Sequence, residues 1–125
     1  MSTKSFSGIR NNDPLPDPQD VNLPADCQDL LEDYIESTSS MLDEIEQAAL
    51  AYEAENDMEE NAAVIRRGLH KIKGESSMMG IEEMSELCHQ TEFAFEEMNK
   101  KQRPNVVLRF KDWVNTAMYN LSTRV

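Results

Sequence analysis

Residues 62–80 read Ala-Ala-Val-Ile-Arg-Arg-Gly-Leu-His-Lys-Ile-Lys-Gly-Glu-Ser-Ser-Met-Met-Gly. Within this stretch Ala62, Ile65, Leu69, Ile72, Ser76 and Met79 recur in steps of three and four, the period of one helical face. The spacing predicts an amphipathic helix that stops at Gly80, a residue suited to the left-handed turn that closes a helix. Asp57 and Glu60 stand where an N-cap and its capping box would start it.

The same period runs outward on both sides. Upstream, Cys27, Leu31, Tyr34, Thr38, Met41, Ile45, Ala48 and Tyr52 form the seam of a long helix. Downstream, Met84, Leu87, Cys88, Thr91, Phe95 and Met98 form a third seam, broken by the polar segment 99–103. Pro104 suits the first turn of a fourth helix, whose seam is Val107, Phe110, Val114, Ala117 and Leu121, widened by Trp113 and Met118. No alternating strand pattern and no repeat competes. The expected fold is all-α: an up-and-down, antiparallel four-helix bundle over residues 26–125. Residues 1–25 carry Pro14, Pro16 and Pro18 among polar side chains and read as a flexible leader.

With 24 acidic and 12 basic residues among 125, the chain has a formal charge of −12, which argues against nucleic acid as a partner. Between Asp26 and Glu60 there is no Lys or Arg, so the first helix presents an acidic outer surface. Two cysteines, Cys27 and Cys88, are too few for a disulfide framework or zinc site, and no apolar run reaches membrane-spanning length. A monomeric, cytoplasmic protein that needs no membrane and no cofactor is expected.

Against that acidity, Arg66, Arg67, Lys71 and Lys73 supply four of the 12 basic residues around one histidine, His70. Arg66, His70, Lys73 and Ser77 share a stripe beside the apolar seam, which displays His70 to solvent while Leu69 and Ile72 are buried. The next helix carries His89 and Glu92, also three apart and also off the seam. If the two helices form an antiparallel hairpin, residues equidistant from Ile81 lie level. That rule pairs His70 with Glu92, Lys73 with His89, and Gly74 with Cys88, where two backbones would need room.

The chemistry of such a site is specific. A carboxylate accepting from Nδ1–H fixes the imidazole tautomer and leaves the Nε2 lone pair outward as a nucleophile. A phosphoryl group placed there brings about two negative charges, which a neighbouring ammonium offsets. Glycine inside a helix costs about 1 kcal/mol relative to alanine, so Gly74 suggests clearance beside His70. The chain has no glycine-rich phosphate loop and no Asp/Asn set for Mg²⁺, so it does not bind ATP itself. A metal site built from His70, His89 and Glu92 is disfavoured by the ammonium of Lys73 in their midst.

The segment from His70 to Gly80 resembles the H-x-[LI]-K-G-[SGA]-x-[SAG]-x-x-[LFM]-G signature of histidine phosphotransfer domains. Glu75 departs from it by placing an acid after the glycine, and Gly68, Arg66 and Arg67 lie outside it. His89 and Glu92, 19 and 22 residues after His70, are similar to the pattern of the N-terminal phosphotransfer domain of chemotaxis histidine kinases of the CheA type. The resemblance implies a helical bundle phosphorylated on His70, with His70, Lys73, His89 and Glu92 in one hydrogen-bonded cluster. It also implies two partners, a histidine kinase ATP-binding domain and a response-regulator receiver domain. Two alternatives stay open at this level: a stand-alone relay protein that shuttles phosphate between receivers, and a non-phosphorylated bundle that only binds a partner helix.

Overall fold

A computed structural model describes residues 5–11 and 13–124. Four long helices carry the fold: α2 (Leu31–Glu53), α3 (Met58–Met78), α4 (Glu82–Glu97) and α5 (Arg103–Arg124). A one-turn helix, α1 (Gly8–Asn11), and two 3₁₀ segments, Pro18–Asp20 and Ala25–Leu30, precede them. Each long helix packs on its sequence neighbour and α2 also packs on α5, so the four close into a ring around one core. Contacts such as Tyr34 with Ser76, Ser77 with Ser85 and Lys111 with Glu46 set the neighbours antiparallel. The expected all-α, up-and-down four-helix bundle is the observed fold. Among the described residues, no helix is long and apolar enough to cross a membrane.

The seams read from the sequence form the core. Ile45, Leu69, Ile72, Leu87, Cys88, Val107, Phe110 and Val114 have essentially no exposed surface, and only Cys27 and Met98 of the expected seam residues are half-buried; Leu42, outside the expected seam, is fully buried as well. Burying the Cys88 thiol in this apolar setting pushes its pKa up strongly, so it stays protonated and inert. Ser76 and Tyr34 are polar groups inside the core, and they satisfy each other through a 2.7 Å hydroxyl–hydroxyl hydrogen bond that ties α2 to α3. Gly68 lets those helices approach closely: a Cβ there would stand 2.6 Å from Ile45 Cγ1.

Two expectations need correction. Asp57 is not the acceptor of a capping box, because it takes the left-handed conformation (φ 42°, ψ 51°) and its side chain makes no cap bond. An N-cap side chain reaches the first amides only from an extended backbone. The turn is held instead by Asn61, whose Nδ2 donates to the Asn56 carbonyl at 2.8 Å. The second correction concerns the leader. Residues 1–4 and 12 lie outside the described residues, but the rest of the leader lies against the bundle as a strap. Phe6, Ile9 and Val21 are buried, and Phe6 meets Trp113 edge to face at 5.2 Å. Trp113 Nε1 donates to the Pro16 carbonyl at 2.7 Å, Arg109 donates to the carbonyls of Gly8 and Asp13, and Arg10 pairs with Glu97 at 2.6 Å. Pro and Asp dominate the composition of this segment, yet a few well-spaced apolar residues anchor it. Its carbonyls also answer donors on α5 that would otherwise face water.

Two stability measurements follow. Gly68→Ala should lower the unfolding free energy by about 1 kcal/mol or more, since the clash with buried Ile45 outweighs the gain in helix propensity; an unchanged or raised denaturation midpoint would contradict the close α2–α3 approach. Burial holds the Tyr34 hydroxyl pKa up at about 12 against its ordinary 10, with the Ser76 hydrogen bond opposing the shift. A raised folded-state pKa gives stability that is complete below pH 10 and lost as pH rises toward 12, here about 2–3 kcal/mol. Tyr34→Phe should remove that part of the alkaline destabilisation in a pH series of urea melts.

Candidate functional site

The site is the exposed seam between α3 and α4, fixed by the turn that joins them. Gly80 closes α3 at φ +72°, where a Cβ would also stand 2.9 Å from Pro24, and Ile81 is fully buried at the pivot. From there the level pairs follow: Ser77 and Ser85 hydroxyls at 2.7 Å, His70 Nδ1 to Glu92 Oε2 at 3.9 Å, and Arg66 Nε to Glu96 Oε1 at 2.5 Å. Each pair is equidistant from Ile81. His70 and Glu92 therefore meet as the sequence arithmetic expects.

His70 stands on the outer edge of α3 with 77% of its side chain exposed, while its neighbours Leu69 and Ile72 are buried. A separation of 3.9 Å is longer than a hydrogen bond, so Glu92 is beside Nδ1 without yet accepting from it. The Glu92 carboxylate is mostly covered, at 29% exposure, and its other oxygen, Oε1, lies 2.8 Å from Lys73 Nζ. Oε1 is shut off from solvent, and the approach of Lys73 is an ion pair and not a well-aligned hydrogen bond. Glu92 thus spans both His70 and Lys73.

His89 is where the expectation departs from the structure. The level rule pairs it with Lys73, and the resemblance draws it into a cluster with His70, but its ring is exposed and packs edge-on to Phe93 at 6.2 Å. The direction of helical side chains explains the exchange, because each leans toward the N-terminus of its own helix. On antiparallel α3 and α4 these directions are opposite. Lys73 leans away from the turn and Glu92 toward it, so they meet; His89 leans toward the turn and leaves Lys73 behind.

Gly74 also plays a different part from the one expected. It does not make room for the α4 backbone at Cys88, since a Cβ on Gly74 would meet nothing within 4 Å and Gly74 is exposed. The space it opens is outside the chain, one turn from His70. Glu75, the acid that follows, faces the other way: Ser37 Oγ on α2 donates to its carboxylate at 3.1 and 3.2 Å. The cationic side chains Arg67 and Lys71 line a separate cleft of about 570 Å³ between α3 and α2, facing Asp33, Glu36 and Glu44. Among the described residues no three His, Cys, Asp or Glu side chains are grouped to hold a metal ion. The Arg66–Glu96 pair was not anticipated, although the level rule that pairs His70 with Glu92 would have found it.

A helical bundle displaying an exposed histidine, with a carboxylate at its Nδ1 side and a lysine and a glycine on the following turn, defines a class. The Hpt domain family matches residues 29–119, most of the chain and all of the site, and the chain belongs to that family. No curated protein and no solved structure matches it. Membership carries a phosphotransfer role in two-component signalling, a setting in which such domains meet kinases and response regulators.

Proposed function

We propose that His70 is the phosphoryl acceptor of this domain, taking the group from a histidine kinase ATP-binding domain and passing it to an aspartate of a receiver domain. The observation that carries the reading is the side-chain arrangement around one imidazole. Nδ1 faces a largely covered carboxylate while the ring as a whole is 77% exposed, which leaves Nε2 for an incoming donor. In the forward step the Nε2 lone pair forms the new P–N bond as the P–O bond to departing ADP breaks. Glu92 steadies the Nδ1 proton and the positive charge that develops on the ring. Lys73 rests on Glu92 at 2.8 Å, and its ammonium divides its charge between that carboxylate and the arriving phosphoryl oxygens. The open space at Gly74 leaves a bulky partner an unobstructed approach.

In this reading His70, Lys73, Gly74 and Glu92 each have a part, whereas His89 has a place on the rim beside Phe93. The pairing of Glu92 with His70 favours a module of the chemotaxis-kinase type; a stand-alone relay using the same chemistry is the second reading. Incubation with a phosphorylated receiver alone separates them, because efficient back-transfer without a kinase domain belongs to a relay.

His70→Gln should abolish acid-labile, base-stable phosphate on the protein while leaving its helicity intact. Glu92→Gln should slow phosphorylation by roughly ten- to a hundredfold, through loss of the group that steadies the imidazole. Acidification should suppress the reaction, because a protonated imidazole has no lone pair to offer. Phosphate retained by His70→Gln, or a rate that does not fall in acid, would overturn the assignment.

A further inference from the structure

Two cation–carboxylate pairs bracket His70 along the α3–α4 seam. Lys73, three residues on, rests on Glu92, and that lysine belongs to the H-x-x-K-G signature. Arg66, four residues back, lies outside the signature. Its Nε donates to Glu96 Oε1 at 2.5 Å, its Nη2 reaches Oε2 at 3.4 Å, and its guanidinium lies 5.5 Å from the centre of the Phe95 ring. A cleft of about 260 Å³ opens on this flank, lined by Arg66, Leu69, Glu92, Phe95 and Glu96. The pair is half-exposed on both sides, at 47% and 55%, so water and salt weaken it and the arginine is held lightly.

The electrostatics of the seam change when a phosphoryl group arrives. Glu92 lies beside His70, and Glu96, one turn further along α4, holds Arg66 on the same seam, so an added dianion meets one carboxylate and has a second one turn away. Lys73 is already engaged with Glu92, and one ammonium does not balance three groups of negative charge. Arg66 is the next cation along the stripe. Residues four apart on a helix have Cβ atoms about 5–6 Å apart, within the span of a guanidinium side chain. A phosphoryl group offers three strong acceptor oxygens and nearly twice the charge of a carboxylate, and the planar arginine fork binds it through two parallel N–H bonds.

We propose that Arg66 is a second phosphoryl-binding cation, parked on Glu96 and Phe95 while His70 is bare and drawn onto the phosphoryl oxygens once Nε2 is modified. The inference rests on His70 being the acceptor. It gives α4 a reporting role, since phosphorylation leaves the Glu96 carboxylate without its partner and uncovers one face of Phe95. A partner that meets this flank then reads different charge before and after transfer.

The test uses phosphoramidate, a small donor that needs no partner protein: its P–N bond breaks, ammonia leaves, and the new P–N bond forms at Nε2. The second ionisation of the phosphoryl group is followed by ³¹P NMR titration, and the Arg66 Nε–H resonance is recorded before and after phosphorylation. Arg66→Gln should raise the titration midpoint by about half a pH unit, because a nearby cation favours the dianion. Arg66→Lys should restore part of that difference, and the Nε–H resonance of the unsubstituted protein should move on phosphorylation. A ³¹P signal on His70 with the same midpoint in Arg66→Gln and an unmoved Nε–H resonance would overturn the role of Arg66 and leave the acceptor assignment standing. No phosphohistidine at all would overturn both. Should Arg66→Gln lose helicity, the Nε–H shift in the unsubstituted protein decides alone.

Discussion

The register of the α3–α4 hairpin is the constraint on which the site depends. It is set at the turn, where Gly80 adopts a backbone conformation that a larger residue would reach only with strain and against Pro24, and where buried Ile81 pins the pivot to the core. Once that point is fixed, three polar pairs fall into place along the seam, Ser77 with Ser85, His70 with Glu92 and Arg66 with Glu96. A slip of one residue would bring the apolar seam of α4 to the surface and break all three. The geometry at His70 is thus held by a turn ten residues away, and by the packing of buried Ile81 at that turn.

Helix α3 answers to two sides at once. Toward the core it offers Leu69 and Ile72, without exposed surface, and Ser76, bonded to Tyr34. Toward solvent it offers an imidazole, a run of cations and a bare stretch of backbone at Gly74. The two glycines inside the helix divide between these sides. Gly68 is a packing residue, with the Ile45 side chain where its Cβ would be; Gly74 faces open space. Each weakens the helix by about 1 kcal/mol relative to alanine. Closer packing of α2 offsets that cost at Gly68, whereas among the described residues nothing packs where a Cβ of Gly74 would be. In the proposed reading, that unfilled position one turn from His70 serves something that comes from outside.

Much of this was legible in the residues alone. The three-four periodicity marked all four long helices and most of the core residues they bury, because burial of an apolar stripe leaves a strong periodic mark. Equidistance from Ile81 brought His70 to Glu92, since a tight hairpin leaves little freedom in register. Other features escaped. The lean of side chains toward their own helix N-termini, which turns Lys73 to Glu92 and away from His89, is invisible to spacing by itself. The left-handed Asp57 depends on a turn whose shape is set by both flanking helices. The strap formed by residues 5–11 and 13–23 was hidden by its composition, for Phe6, Ile9 and Val21 are too few to show a period, and Phe6 meets its partner Trp113 more than a hundred residues along the chain.

The claim at the centre is that the outer edge of α3 beside His70 is kept clear for a partner domain at the expense of the bundle's own stability. Gly74→Gln tests it with two readings on one protein. Unfolding free energy should rise by about 0.5–1 kcal/mol, as a good helix former replaces glycine in open space. Phosphorylation of His70 by a small donor should persist, while phosphoryl exchange with a receiver domain slows at least tenfold. A more stable variant that exchanges phosphate with the receiver as fast as before would show that the space at Gly74 serves no partner.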